Sequence, residues 1–184
     1  MTLPEQERER FCQVLHHSRT SLYRLAFSIT RNSSDAQEAV AEAVCRAYER
    51  YPQLREKEKL PRWLLKITAN EARRLCQRRG RTVSLDDLPT EPAIPGRETG
   101  DDTLWQAVQT LPRDQREAVV LFYYEDLPTE EIARIVGTSP GAVRVRLSRH
   151  VRAAEHLEGG RLWMSWTPPA GNGKAGGLGP ARSL

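Results

Sequence analysis

The stretch Leu111–Arg152, LPRDQREAVVLFYYEDLPTEEIARIVGTSPGAVRVRLSRHVR, decides the fold reading of this chain. An apolar-periodic run, Glu131-Ile132-Ala133-Arg134-Ile135-Val136, stops at Gly137, and glycine accepts the left-handed conformation that ends a helix. Ser139-Pro140 then starts another. Serine is a favoured N-cap, and proline suits the first helical position because its missing N–H would have no partner there. Val143 and Leu147, four residues apart, form a narrow apolar stripe, and Arg144, Arg146, Arg149 and Arg152 surround it. Two helices joined by a tight turn, the second one basic and buried along one narrow edge, form a helix-turn-helix suited to a DNA major groove.

With Val143 and Leu147 inward, helical spacing turns Arg144, Val145, Ser148 and Arg149 toward the groove. Arg144 and Arg149 are the candidates for guanine, since a guanidinium pairs with O6 and N7 together, while Val145 can touch a thymine methyl. Arg146 lies off that face and is expected to meet a phosphate or to pack its stem locally.

Upstream, Leu104, Val108 and Leu111 predict one short helix from about Asp102, and Arg113 to Tyr124 a second. These elements and the helix-turn-helix make a block at 102–158. From 159 to 184 the chain is Gly- and Pro-rich, a composition that buries no core and reads as a disordered tail interrupted by Leu162, Trp163, Met164 and Trp166. Between 82 and 101, Pro89, Pro92, Pro95, Gly96 and Gly100 stand among acidic residues, which predicts a flexible linker.

The block at 4–81 reads as all-helical. Phe11, Leu15, Leu22, Leu25, Ala26 and Ile29 recur at helical spacing until Arg31-Asn32-Ser33-Ser34 breaks them. Ser34 with Gln37, or Asp35 with Glu38, offers a capping box for a second helix, whose inward residues are Ala36, Val40, Ala43, Val44 and Ala47. After a charged loop, Pro61 opens a third helix with Leu60, Trp63, Leu64, Ile67 and Leu75 on its apolar side.

That third helix is strongly basic. Arg62, Lys66, Arg73, Arg74, Arg78, Arg79 and Arg81 face only Glu71, a local excess of +6 against +4 for the whole chain. A solvated face ordinarily mixes signs to gain i,i+4 pairs, so one sign points to a polyanion. Trp63 and Tyr51 lie near its start, and aromatics beside arginines are expected to stack and hold unpaired bases. A core tryptophan is the plainer reading of Trp63.

Composition excludes several classes. The overall charge is mild, so a nucleic-acid reading rests on where the arginines stand. Three cysteines, Cys12, Cys45 and Cys76, are far apart without CxxC spacing, which fits a reducing compartment rather than a disulfide framework. Cys12 and His16 stand four apart but lack further metal ligands. No paired carboxylates, phosphate-cradling glycine loop or nucleophile beside His16 and His17 point to catalysis, so neither an enzyme nor a cofactor is expected. Neither a membrane-length apolar run nor a leader peptide is apparent, and a cytoplasmic protein is expected.

The order of these parts resembles the extracytoplasmic-function sigma factors of bacterial RNA polymerase. The resemblance spans about Phe11 to Leu157. It is strongest in the Leu-Pro, Gln115-Arg116, Glu131-Ile132-Ala133 and Val143-x-x-Arg146-Leu147 pattern, similar to the family's region 4. LYRLAFSITRNSSDAQEAVAEAVCRAYERY and WLLKITANEARR are similar to region 2. The resemblance implies an all-α chain of two small helical domains on a flexible linker. The first would bind the polymerase clamp and open the minus-ten element, and the second would meet the flap and read the minus-thirty-five element as duplex. It implies polymerase contacts for Asp35, Glu38 and Glu42. For promoter melting it implies Arg62, Trp63, Lys66, Asn70, Arg73, Arg74 and Arg78. Partners would be core polymerase and promoter DNA, with an anti-sigma factor as a further class, and the chain would be a monomer within the holoenzyme. The chain departs from the family pattern at Ala41, Val44, Arg74 and His150. A conventional helix-turn-helix regulator is the alternative. It uses the second block and leaves the basic third helix and the aromatic loop without a purpose, while a protein adaptor would not need four arginines on one short helix.

Overall fold

The computed structural model describes residues 3–79 and 102–156; the expected linker and tail lie outside the described residues. Three helices build the first block: α1, Glu5–Thr30; α2, Ser33–Arg50; and α3, Leu60–Arg79. Two short 3₁₀ turns, Tyr51–Gln53 and Lys57–Lys59, join α2 to α3. The second block holds α4, Asp102–Thr110; α5, Arg113–Val119, which continues as a π-helical turn at Val120–Tyr124; α6, Thr129–Val136; and α7, Pro140–His156.

The reason α1 stops is local. Arg31 takes a left-handed conformation at φ 54°, and its N–H closes on the Phe27 carbonyl. Asn32 is then extended, and its side chain accepts the Asp35 N–H at 2.9 Å. The cap of α2 is therefore Asn32, not Ser34 or Asp35 as the capping-box pattern suggested. The turn at Arg31 delivers the chain extended at Asn32, and an asparagine there satisfies an orphan N–H.

Ala36, Ala39, Ala43 and Ala47 are wholly buried along one edge of α2. Such small side chains let α2 approach α1 and α3 closely. Phe11 packs edge-on against both Tyr48 and Tyr51 at 5.4 Å, closing the end of the bundle; Tyr51 is wholly buried there, so it is a core residue and not the base platform expected from its place beside the arginines. On α3, Leu60, Leu64, Leu65, Thr68, Ala69, Ala72 and Leu75 turn inward. Each fully buried leucine contributes roughly 1.5–3 kcal/mol.

In the second block Gly137, at φ 74°, ends α6 with its N–H on the Ala133 carbonyl at 2.9 Å. Ser139 Oγ accepts the Ala142 N–H at 3.2 Å and caps α7. Both features match the turn chemistry read from the sequence. Val143 and Leu147 are buried against α5 and α6, so the recognition stripe faces inward as expected.

The blocks are not separate in space. Their buried apolar residues form one continuous cluster, joined where Phe27 of α1 lies against Trp105 of α4 at 6.2 Å between ring centroids.

Candidate nucleic-acid interface

Two basic faces are presented, one on each block. On α7, Arg144, Val145, Ser148 and Arg149 are exposed together. Val145 is 48% exposed, the one large apolar side chain left so open among the described residues. Arg144 Nη2 donates to Glu130 Oε1 of α6 at 3.2 Å. The Glu130 carboxyl lies below its ordinary value, held there by a backbone N–H, then by Thr129 and Arg144. Ser148 Oγ donates to the Val145 carbonyl at 3.0 Å, back-bonding to its own helix.

Arg146 stands to one side and is half-buried, donating to Asp114 of α5 at 3.2 Å. With Arg149, Pro112, Arg113, Asp114 and Gln115 it lines an open cleft of about 460 Å³ beside the recognition helix. Two of the cleft's three arginines come from α7 and the third, Arg113, from the start of α5. Arg113 was not singled out in the sequence, where one charge at a helix start looks like any solvated residue.

On α3, Arg62, Lys66, Asn70, Arg74 and Arg78 are exposed, with Trp63 and Arg73 half-buried. Spacings of four residues place them along one face. Trp63 leans on the apolar core and keeps one edge at the surface, so it serves packing while remaining at the face. The one-sign stripe read from the sequence is largely answered within the fold. Glu38 of α2 lies 3.8 Å from both Arg78 and Arg79, and Arg79 also pairs with Asp35. Arg74 lies 3.5 Å from Glu71, whose other oxygen meets Arg46 at 3.2 Å. Arg62 lies 3.5 Å from Glu131, and Arg73 lies 2.5 Å from Glu117, carboxylates of the second block. Periodicity within one helix cannot reveal partners that arrive from other elements.

The acidic set of α2 divides. Asp35 is buried, ion-paired to Arg79 in the first turn of α2. Glu38 and Glu42 are exposed and lie four apart on one face, Glu42 at 3.9 Å from Arg46.

The seam between the blocks holds charged residues that sequence reasoning passed over. Arg116 is 4% exposed, yet its guanidinium donates to three carbonyls: Gln109 at 3.1 Å, Leu111 at 2.8 Å and, across the seam, Ser28. Burial, and secondarily the charge of Arg31, lowers its pKa to about 10, so it remains a cation at neutral pH. Arg24 lies 4.5 Å from the Tyr124 ring centroid and 3.4 Å from Glu125. The available signal was that Arg116-Glu117 directly precedes the apolar run Ala118-Val119-Val120-Leu121 in one helical stretch.

Among the described residues, no cluster of His, Cys, Asp and Glu suits a metal, and no helix is long and apolar enough to cross a membrane.

Comparison with known proteins bears on both faces. Residues 14–82 match the family model for sigma-70 region 2, and residues 101–153 match that for sigma-70, region 4. The RNA polymerase sigma factor SigV of Bacillus subtilis is 32% identical over 132 residues, covering 71% of this chain and 80% of that protein. The probable RNA polymerase sigma factor RfaY of Xanthomonas campestris is 33% identical over 139 residues, covering 68% of this chain and 34% of that longer protein. In fold, the chain is similar to the sigma factor RpoE of Bartonella quintana, solved in complex with the anti-sigma factor NepR. The TM-score is 0.68 at 24% identity, over 84% of this chain and 97% of that one.

Proposed function

This chain belongs to the extracytoplasmic-function sigma factors of bacterial RNA polymerase, and on that premise we propose how its two faces divide the work of promoter recognition. It is a promoter-recognising sigma factor. The second block reads the upstream, minus-thirty-five element as duplex through α7. Arg144 and Arg149 pair with guanines, Val145 meets a thymine methyl, Ser148 lies against the same groove, and Arg146 meets the phosphates. The first block holds core polymerase through Glu38 and Glu42 and handles the opened minus-ten strand along α3. There Trp63 stacks a base, Asn70 lies beside the strand, and Arg62, Lys66, Arg73, Arg74 and Arg78 follow phosphates.

One observation carries this reading: Arg144 and Arg149 stand together on the solvent face of α7, the second helix of a helix-turn-helix whose Val143 and Leu147 are buried, the arrangement that lays a basic helix in a DNA major groove.

The family's members are not catalysts. Here the chain supplies promoter specificity and leaves polymerisation to the core enzyme, acting in the cytoplasm where that enzyme works. Partners are the core's clamp and flap regions and promoter DNA. The Bartonella quintana relative is held by an anti-sigma factor, and we extend that class of partner to this chain.

The experiment is reconstitution with core polymerase on a randomised promoter library, beside a Glu38→Lys/Glu42→Lys variant. Wild type is expected to select a narrow promoter class. The variant is expected to lose core affinity with little change in its melt, because exposed charges contribute little to stability. Unselective initiation by the wild-type holoenzyme, or full core affinity in the variant, would count against the reading.

A further inference from the structure

The open cleft beside α7 holds positive charge that the base-reading face does not use. Arg113 of α5 lines it with Arg146 and Arg149 of α7, and Asp114 is the one carboxylate among its lining residues. Its volume of about 460 Å³ admits a group much larger than a water. The charge belongs to side chains from two helices rather than to a helix end.

Each of these arginines is incompletely matched. Arg113 is exposed and lies 3.9 Å from Glu117 through Nε, while Glu117 has a closer partner in Arg73 at 2.5 Å. Arg149 is exposed and has no ion pair among the described residues. Arg146 donates Nη2 to Asp114 Oδ2 at 3.2 Å, yet its Nη1 is buried with no hydrogen-bond partner among the described residues. A guanidinium presents a planar fork that two oxygens of one anion satisfy together, and a single carboxylate bond leaves that fork half used. Asp114 is itself 59% exposed, so its hold on Arg146 is that of a surface pair.

Position identifies the anion. Arg149 is shared between the cleft and the exposed face of α7 that carries Arg144, Val145 and Ser148. A helix about 10–12 Å across fills a major groove about 12 Å wide, so a phosphate strand runs along each side of it. A cationic cleft adjoining that face meets one of those strands. Resting on the sigma-factor reading, we propose that the cleft seats one backbone phosphate of the upstream duplex, with Arg113 a DNA-contact residue beside Arg146, and with Asp114 holding Arg146 until the phosphate displaces it. The seat reads no base. It fixes the register of α7 in the groove, because a phosphate contact positions the protein on the duplex. Asp114 lowers affinity, since its pair with Arg146 breaks when DNA arrives.

The test measures binding of the reconstituted holoenzyme to a promoter fragment over a series of salt concentrations. Arg113→Ala is expected to weaken binding about tenfold, the worth of one charged hydrogen bond, and to reduce the salt slope by about one. The upstream base preference should stay unchanged. Arg113→Lys, which keeps the charge, is expected to restore the slope. Asp114→Asn is expected to tighten binding about two- to fivefold. That gain should fall below about twofold in an Arg146→Ala background, where no pair is left to break. A gain of affinity cannot come from misfolding, so this arm stands even if Arg113→Ala folds poorly. Neutral methylphosphonates placed one at a time along the upstream element locate the seat: one position should weaken the wild type and have no further effect on Arg113→Ala. Inorganic phosphate and a nucleoside triphosphate, titrated into the free chain by calorimetry, are expected to show no saturable binding at micromolar concentration. Such binding, abolished by Arg113→Ala, would make the cleft a small-anion site and overturn the DNA seat. Unchanged affinity and slope in Arg113→Ala, or an undiminished Asp114→Asn gain in the Arg146→Ala background, would overturn it as well. A wild-type holoenzyme that binds no promoter would instead remove the sigma-factor reading, and the seat with it.

Discussion

Arg73 of α3 donates to Glu117 of α5 at 2.5 Å, and Glu117 is 2% exposed while Arg73 remains half-open. The bond joins a residue expected to follow phosphates to a carboxylate hidden from water. Glu117 also has Arg113 at 3.9 Å. Glu117→Gln keeps the shape and removes the charge, leaving both arginines without their counterion. We expect a loss of about 1–3 kcal/mol, read as an earlier midpoint in urea denaturation. An unchanged midpoint would mean that water reaches the pair.

The recognition helix offers a sharper test, because its arginines have different surroundings. Arg144→Ala and Arg149→Ala should each cost about 1–3 kcal/mol of promoter affinity and relax preference at one upstream base pair. Arg146→Ala should weaken all sequences alike and reduce the salt slope by about one. Library selection with each holoenzyme variant measures this. Retention of the full upstream preference by the Arg144 and Arg149 variants would mean that another face of α7 enters the groove.

Trp63 leans on the core and keeps one edge at the surface. Trp63→Ala is expected to impair strand opening by about 1–3 kcal/mol, the worth of one stacked base. Closed-complex binding should change less. Permanganate reactivity of the bubble reports the first and a filter-binding assay the second. A normal bubble would make Trp63 a packing residue alone.

Gly137 isolates a backbone effect. A Cβ added there meets nothing within 4 Å, so Gly137→Ala creates no clash, and what it does impose is a left-handed conformation at φ 74° on an L residue. The expected cost is about 1–2 kcal/mol, visible as a lower melting temperature. Stability equal to wild type would show that the turn relaxes to another conformation.

Glu125 sets a pH dependence. Burial raises its carboxyl above the ordinary 4.5, and the opposing pull of Ser21 and Arg24 is smaller. The folded chain therefore holds this proton more tightly than the unfolded chain. Between 4.5 and the raised value, ionisation costs folded-state stability, so this contribution falls as pH rises through that window and grows as pH drops. The stability of wild type minus that of Glu125→Gln, from denaturation at several pH values, should decline with rising pH. A difference that rose with pH would mean that Arg24 dominates over burial.

The amino-acid order by itself determined everything that depends on near neighbours. Gly137, Ser139 and Pro140 encode the turn between α6 and α7 through φ preference and capping, and both act within four residues. The 3.6-residue period assigned Val143 and Leu147 to the core and Val145 to the surface, because a helix converts spacing directly into direction. The family followed from motif order along the chain. The cap of α2 was misplaced by two residues, since Asn32 competes with Ser34 only once Arg31 has turned the backbone. Tertiary structure alone decided what α3 faces. Its cations look unopposed along the chain, and they meet Asp35 and Glu38 from α2 and Glu117 and Glu131 from the other block. Only folding brings Arg116 to the end of α1, across 88 residues, because charge pairing and carbonyl capping depend on distance in space, and separation along the chain does not report it.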